Sequence, residues 1–282
     1  MVERSTTRGI LAHAIMILGA LVVAFPIYLA FVASTHNPQE LMQSPMPLLP
    51  GSHLWASYSA ALNGGGQNNA GMPVARMIWV SFVITMIITV GKISISLLSA
   101  FAVVYFRFPL RQLCFWAIFI TLMLPVEVRI GPTYQVVADL GMINTYAGLS
   151  IPLIASATAT FLFRQFFLTV PDELVEAARV DGAGPMRFFK DILAPLSATS
   201  TAALFVIQFI YGWNQYLWPL ITATSQDMYP IGVGLKQILG TGDSAPEWNV
   251  VMATAMLAML PPAFVVVLMQ KWFVKGLVDT EK

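Results

Sequence analysis

Six long stretches of the chain carry almost nothing but apolar side chains: residues 10–34, 76–105, 113–131, 148–168, 195–223 and 249–271. A spanning helix needs about 20 apolar residues, at about 1.5 Å of rise each. Every stretch meets that length, the third barely, so the pattern predicts six transmembrane helices in an all-α integral membrane protein. Turn formers fill the segments between them. Residues 35–75 hold Pro38, Pro45, Pro47, Pro50 and the run Gly64-Gly65-Gly66, and residues 224–248 hold Pro230, Gly240, Gly242 and Pro246. No internal repeat and no linker to a soluble domain is visible. The expected division is a first helix with its loop over 1–75, a core of five helices over 76–274, and a short tail over 275–282.

Composition sharpens this picture. Of 282 residues, 57% are hydrophobic and 10% charged, against about 25% charged in ordinary globular domains. A net charge of +1 excludes a strong pull on nucleic acid. Cys114 is the single cysteine, which excludes an internal disulfide framework or a cysteine-based metal site. The apolar run after Arg4 and Arg8 is too long for a signal-peptide core and lacks a clear cleavage site, so it reads as a retained span. Basic residues then orient the bundle, because they concentrate on the cytoplasmic side. Arg4, Arg8, Arg107, Arg111, Arg164, Arg179, Arg187, Lys190, Lys271, Lys275 and Lys282 favour both termini and the 169–194 loop in the cytoplasm. The 35–75 and 224–248 loops then face outward.

Small residues four apart, Ser96 with Ala100 and Ser156 with Thr160, allow close approach of helix backbones in lipid. They argue for a helix bundle and carry no information about cargo.

The segment 169–194 is polar and lies between two apolar runs. Thr169 can cap a helix, Pro171 suits an early helical position, and Asp172 and Glu173 favour the positive end of its dipole. Gly182 suits its end, Gly184-Pro185 a second short helix, and Pro195 the entry to the fifth span. A helix of about three turns is marginal alone and needs something to pack against. Leu174, Ala177, Ala178 and Asp181 fall on one side by helical spacing, with two alanines giving a shallow surface. Spacing alone fits two arrangements: a loop packed on its own bundle with Glu176 paired to Arg179, or a plug for another protein's cleft.

The order Glu176-Ala177-Ala178, then Asp181-Gly182-Ala183, then Ile192 and Pro195 resembles the signature loop of the inner-membrane permease subunits of bacterial ABC importers, although Ala194 stands where that pattern usually has leucine. The likeness runs from about residue 76 to the end. Leu124-Pro125, Asn144-Thr145-Tyr146-Ala147-Gly148-Leu149 and Trp213-Asn214-Gln215-Tyr216-Leu217-Trp218-Pro219 resemble the carbohydrate-importer branch. The strings 121–130 and 211–220, with Gly276-Leu277-Val278-Asp279, are similar to permease subunits of sn-glycerol-3-phosphate importers. The resemblance implies a type I ABC importer permease with a cytoplasmic coupling helix, in which Glu176, Ala177, Ala178, Asp181, Gly182 and Ala183 contact the ATPase. It also implies a bacterial inner-membrane location and a cargo of sn-glycerol-3-phosphate or a glycerophosphodiester. The partners it implies are a homologous second permease, two copies of an ATPase subunit and an extracytoplasmic substrate-binding protein. The same machine moving a neutral sugar or polyol is the alternative, and an ion-coupled secondary transporter, which has no use for the signature loop, is a third reading.

Other chemistry is sparse. Gly91-Lys92 is followed by Ile93 and lacks the earlier glycine of a phosphate-binding loop; if ATP drives this protein another chain binds it, and the resemblance implies ATP and Mg on the partner ATPase with no cofactor in this chain. His13, His36 and His53 show no metal spacing, and no nucleophile elbow is present; the chain does not read as an enzyme. Lys92, Glu127 and Arg129 are charges in or near apolar spans, where they are expensive and often functional. Lys92 could instead snorkel or pair between helices, and Arg129 could sit at the outer interface beside Glu127. Tyr211, Trp213, Tyr216 and Trp218 fit either an interfacial belt or a pathway wall with Asn214 and Gln215. The candidate pathway residues are Lys92, Arg129, Trp213, Asn214 and Tyr216.

Overall fold

The computed structural model describes residues 6–64, 73–120, 126–240 and 246–278. Gly65, Gly66, Gly242, Leu124-Pro125, Arg4 and Lys282 lie outside the described residues, as do the side chains of Arg8, Glu127 and Lys275. Among the described residues there is no strand. The helices are α1 Thr6–Ser34, α2 Pro38–Leu41, α3 Leu54–Asn63, α4 Val74–Tyr105, α5 Arg111–Ile120, α6 Val126–Asp139, α7 Tyr146–Ser150, α8 Ala157–Phe167, α9 Asp172–Val180, α10 Pro185–Phe188, α11 Ala194–Leu196, α12 Ala198–Trp213, α13 Leu217–Thr222, α14 Ile231–Gly240 and α15 Trp248–Val278.

α1, α4 and α15 match the first, second and sixth predicted spans, and each is long and apolar enough to cross a membrane alone. The fourth and fifth predicted spans are not single helices. α7 with its following turn joins α8 at a 49° bend, and the segment Pro185–Leu196 joins α12 at 71°. Both breaks have local causes. Pro152 sits in a 3₁₀ turn, Ile151–Leu153, and Ser156 is extended and caps α8, its hydroxyl accepting from the Ala159 amide at 3.3 Å. Near the second break a π-helical turn, Phe189–Leu193, precedes Pro195, and the Ser197 hydroxyl donates to the Ala194 carbonyl at 2.9 Å. The fifth span also stops early, at Trp213, with α13 separate. The third predicted span corresponds to α5 and the start of α6, with 121–125 outside the described residues. α5 packs on α8 through Phe115, over which the Arg164 guanidinium lies at 4.3 Å. The segments 35–75 and 224–248, expected as loops, hold α2, α3 and α14.

The chain divides into two compact units, Met1–Arg76 with Gly234–Leu260, and Met77–Val233 with Pro261–Lys282. In the first, the Asn249 amide donates to the Ser57 hydroxyl at 3.0 Å, and Val32, Ala33, Ala61, Val250 and Ala253 are buried. The second has two apolar cores along α4. One gathers Val80, Ile84, Ile88, Val137, Leu149, Leu153 and Trp218. The other gathers Ile93, Ala100, Phe101, Phe163, Phe167, Ala178, Phe188, Leu193 and Leu204. In the second core the apolar faces of α9 and α10 rest on the Tyr105 end of α4.

Candidate functional site

The polar segment folds much as its sequence suggests, with one correction at its start. Pro171, in extended conformation, precedes α9 without a side-chain cap, while the Thr169 hydroxyl donates back to the Phe166 carbonyl at 2.7 Å. Asp172 and Glu173 occupy the first turn and Arg179 the last, as the helix dipole favours. At the other end Gly182 has φ +71°, a left-handed conformation that glycine adopts at least cost. The Gly182 amide bonds the Arg179 carbonyl at 3.0 Å and the Ala183 amide bonds the Ala178 carbonyl at 2.8 Å. Together these two bonds form a complete Schellman closure, with Ala178 and Ala183 packed in the same core. The order Ala178-Arg179-Val180-Asp181-Gly182-Ala183 therefore has a local physical basis.

The four residues grouped by spacing divide by burial. Ala178 is buried and holds α9 to its own bundle; Leu174, Ala177 and Asp181 are exposed, as are Glu176 and Gly182. Val180, 87% exposed, and Met186, 62% exposed, extend that outer surface as apolar knobs with polar neighbours. Its inner side is anchored by aromatic packing. Phe189 lies on Phe101 at 4.9 Å, Phe188 on Tyr105 at 5.3 Å, and the Tyr105 hydroxyl donates to the Phe167 carbonyl at 3.3 Å. A displacement of α9 and α10 would thus bear directly on α4.

Higher on α4 the structure shows a feature that the hydropathy pattern hid. Ser81, Thr85, Thr89, Lys92 and Ser96 are all buried and recur every three or four residues, so they form one stripe along one face. Ser81 accepts from the Ile231 amide at 2.8 Å, and Ser96 donates to the Ser156 carbonyl at 3.2 Å. Thr85 and Thr89 have buried hydroxyls without a hydrogen-bond partner among the described residues. Such groups cost free energy. Lys92, 5% exposed, places its ammonium 3.4 Å from the centre of the Tyr211 ring, a cation–π contact. Arg129 is exposed and lies within electrostatic reach of Lys92. Arg129 also lines a small pocket with Thr133, Pro152 and Trp218. The signal for the stripe was its spacing: 81, 85, 89, 92 and 96 are periodic although each residue alone looks incidental.

The aromatic string divides in the same way. Trp213 is buried and stacks on Phe209 with ring planes 14° apart. Trp218 is buried and donates its indole N–H to the Gly148 carbonyl at 3.0 Å. Neither tryptophan sits in an exposed belt. Tyr211 and Tyr216 are about one-third exposed, and Asn214, exposed, ends α12. Two separate strings singled out in the sequence are bound together here. Asn144, at φ +58°, accepts from the Thr224 and Ser225 amides at 2.6 and 2.9 Å and donates to the Thr224 hydroxyl at 2.6 Å. Thr145 caps α7 by accepting from the Gly148 amide at 3.0 Å. Gly212 brings α12 against α4: a Cβ there would lie 3.2 Å from the Thr85 Cα.

Comparison with known proteins gives this arrangement a family. Residues 92–279 match the binding-protein-dependent transport system inner membrane component. The sn-glycerol-3-phosphate transport system permease protein UgpE of Brucella melitensis is 59% identical, with all of both chains covered. The proteins of that name from Agrobacterium fabrum and Escherichia coli O1:K1 are each 58% identical, again over the full length of both chains. The fold is similar to that of a bacterial ABC transporter involved in the import of the acidic polysaccharide alginate, with TM-score 0.82 and 21% identity over 97% of this chain and 99% of that one. Such permeases are transport subunits, and the ATPase is a separate chain. With the family match over residues 92–279 and relatives of 58–59% identity covered end to end, the chain belongs to the binding-protein-dependent inner membrane permeases of ABC importers.

Proposed function

We propose that this permease subunit imports sn-glycerol-3-phosphate or a related glycerophosphodiester. The observation that carries the reading is end-to-end identity of 58–59% with permeases named for that cargo. The assembly contains a homologous second permease, two ATPase subunits that hold ATP and Mg, and an extracytoplasmic binding protein. The chain crosses the inner membrane several times with both termini in the cytoplasm. Residues 1–75 form the first helix and outward loop, 76–274 the permease core and 275–282 the cytoplasmic tail.

Glu176, Ala177, Ala178, Asp181, Gly182 and Ala183 form the coupling element in this reading. Ala177, Glu176 and Asp181 offer the outer surface to the ATPase, while Ala178 and Ala183 fix the inner one. Closure of the ATPases moves α9 and α10, and the aromatic contacts pass that motion to α4. Lys92 is 13 residues from Tyr105, about 20 Å along the helix. An anionic cargo in a low-dielectric bundle needs compensating positive charge, which Lys92 supplies within and Arg129 supplies beside it. The guanidinium suits phosphate by its two-point geometry. Trp213, Asn214 and Tyr216 complete the pathway wall, Trp213 by packing behind it.

Uptake by vesicles containing the complete importer tests the cargo. Binding-protein-dependent accumulation of glycerol-3-phosphate is expected; accumulation of a neutral polyol in its place would overturn it. Coupling is tested by Gly182→Val and Ala177→Trp, which should leave the subunit in the membrane and lower cargo-stimulated ATP hydrolysis together with uptake. Normal values of both at normal subunit levels would remove α9 from the ATPase contact.

A further inference from the structure

A second cluster lies in the 35–53 segment, at the end of α1, and the import mechanism leaves it unused. His36 is 9% exposed. Its Nδ1 lies 2.6 Å from Glu40 Oε2, and its Nε2 lies 2.8 Å from the Leu49 carbonyl oxygen. A carbonyl oxygen accepts only, and so does an ionised carboxylate. Both Glu40 oxygens are already acceptors, Oε1 from the Asn37 side-chain amide at 3.0 Å and Oε2 from the Asn37 backbone amide at 3.4 Å. The proton therefore belongs on the ring, and two acceptors require two N–H groups. A neutral imidazole has one.

The ring is also enclosed. A Cβ on Gly51 would come within 2.7 Å of His36 Nδ1 and of the Thr35 carbonyl oxygen, so only glycine lets the strap pass over it. The strap is tied elsewhere by bonds that involve neither His36 nor Glu40. The Gly51 amide donates to the Thr35 hydroxyl at 2.7 Å, the His53 amide to the Thr35 carbonyl at 2.8 Å, and the Tyr28 hydroxyl to the Leu48 carbonyl at 2.8 Å. Leu48 and Leu49 themselves are exposed. Among the described residues, titratable groups around the cluster include His53, which acts on Glu40, Tyr28 from α1, and Tyr58 from α3, whose hydroxyl accepts from Ser34 at 3.3 Å.

We propose that His36 is a proton-operated clasp: as an imidazolium it joins the Leu49 strap to Glu40, and on losing its proton it releases one of them. Its exposure to the outside pH rests on the outward reading of this loop. The direction follows from the two partners. Hydrogen bonds to the Leu49 carbonyl and then to Glu40 raise His36 above the ordinary 6.5; its contribution is full below that value and is lost as pH rises through the raised one. The His36 hydrogen bond holds Glu40 below its ordinary 4.5; that contribution is present above 4.5 and is lost only as pH falls through the lowered value. The clasp is closed from the lowered Glu40 value up to the ordinary imidazole value of 6.5 and opens as pH rises through the raised His36 value.

The test uses the full importer in vesicles, with chymotrypsin outside and cleavage within 42–53 followed by mass spectrometry. Rates are normalised to a peptide substrate at each pH. Cleavage should rise roughly tenfold as external pH passes through the His36 titration, about the effect of losing one charge-assisted hydrogen bond. His36→Gln should be cleaved fast at every pH, and Glu40→Gln should move the rise to lower pH. Nitrogen NMR of the ring gives an independent reading, since the chain has 3 histidines and replacing His13 and His53 isolates the signal. Both ring nitrogens should carry hydrogen at pH 6.5. A neutral ring there, or a flat cleavage profile, overturns the clasp. Cleavage by protease trapped inside, responding to lumen pH, keeps the clasp and overturns the outward topology.

Discussion

α1 and α4 are both long apolar helices, yet they lie in opposite surroundings. Of the most apolar 18-residue window of each, 6% is buried in α1 and 39% in α4. From Ala14 to Ala33, α1 carries no polar side chain except the hydroxyl of Tyr28. α4 interrupts its apolar run with Ser81, Thr85, Thr89, Lys92 and Ser96, all turned inward. Apolarity thus identifies a span and says little about what the span faces. In lipid an apolar surface needs no cover, and association relies on close packing and hydrogen bonds. The periodic polar residues mark the helix that packs.

The strongest way to break this contrast is to add bulk to a glycine in each setting. Gly19 in α1 has nothing within 4 Å of an added Cβ, whereas the Gly212 Cβ would meet the Thr85 Cα at 3.2 Å. Backbone turns aside less readily than a side chain, so Gly212→Leu should cost about 3 kcal/mol and remove most assembled permease. Gly19→Leu should leave the amount unchanged. Membrane levels and gel filtration of the complex decide it; equal losses would mean that α1 is as closely packed as α4.

Lys92→Met comes next. It keeps the stem and removes the charge, and uptake at subsaturating cargo should fall tenfold or more, the factor set by losing a charged hydrogen bond of ~1.5–3 kcal/mol. Assembly should persist, since Met fills the same buried volume. Unchanged uptake would leave Lys92 a packing residue held by Tyr211. Gly91→Ala probes the same helix more gently. Its Cβ would lie 2.7 Å from Ile154 Cγ2, a side chain that can shift, so the cost should be about 1–2 kcal/mol. Ile154→Ala should restore the thermal midpoint of the complex. No restoration would show that the backbone at the 151–156 break, not the side chain, is the obstacle.

Much of this was legible in the residues. Hydropathy finds α1, α4 and α15 because each is uniformly apolar over the required length. The end of α9 is legible because Gly182 and the small residues beside it can form only a few closures. The breaks were not. Its spacing places Ser156 among small packing residues, yet in the structure it is extended and caps α8. Thr169 looked like a cap, and the nearer Phe166 carbonyl took its hydroxyl. Local hydrogen bonding by Ser and Thr has several nearby solutions, and only tertiary contacts select one. The burial of Trp213 and Trp218 was hidden for a different reason, since an aromatic near a span end has the same sequence signature in a belt and in a core.

Thr85 and Thr89 give the smallest and sharpest test of the α4 stripe. Valine has almost the same shape as threonine and lacks the hydroxyl. A buried hydroxyl without a partner costs ~1–3 kcal/mol relative to one that is satisfied. If the stripe only packs, Thr85→Val and Thr89→Val should raise the stability of the complex, by about 1 kcal/mol each, and leave uptake alone. If the hydroxyls wait for a polar cargo beside Lys92, the same stability gain should come with uptake reduced roughly twofold to fivefold, the range of one neutral hydrogen bond. The second result is expected, because two hydroxyls without a partner among the described residues, on the helix face that carries a buried cation, are hard to account for by packing alone. The double variant strengthens the reading. Effects on uptake should add when both hydroxyls meet cargo, whereas a stability change without any change in uptake would reduce the stripe to a helix contact and leave Lys92 as its one functional member.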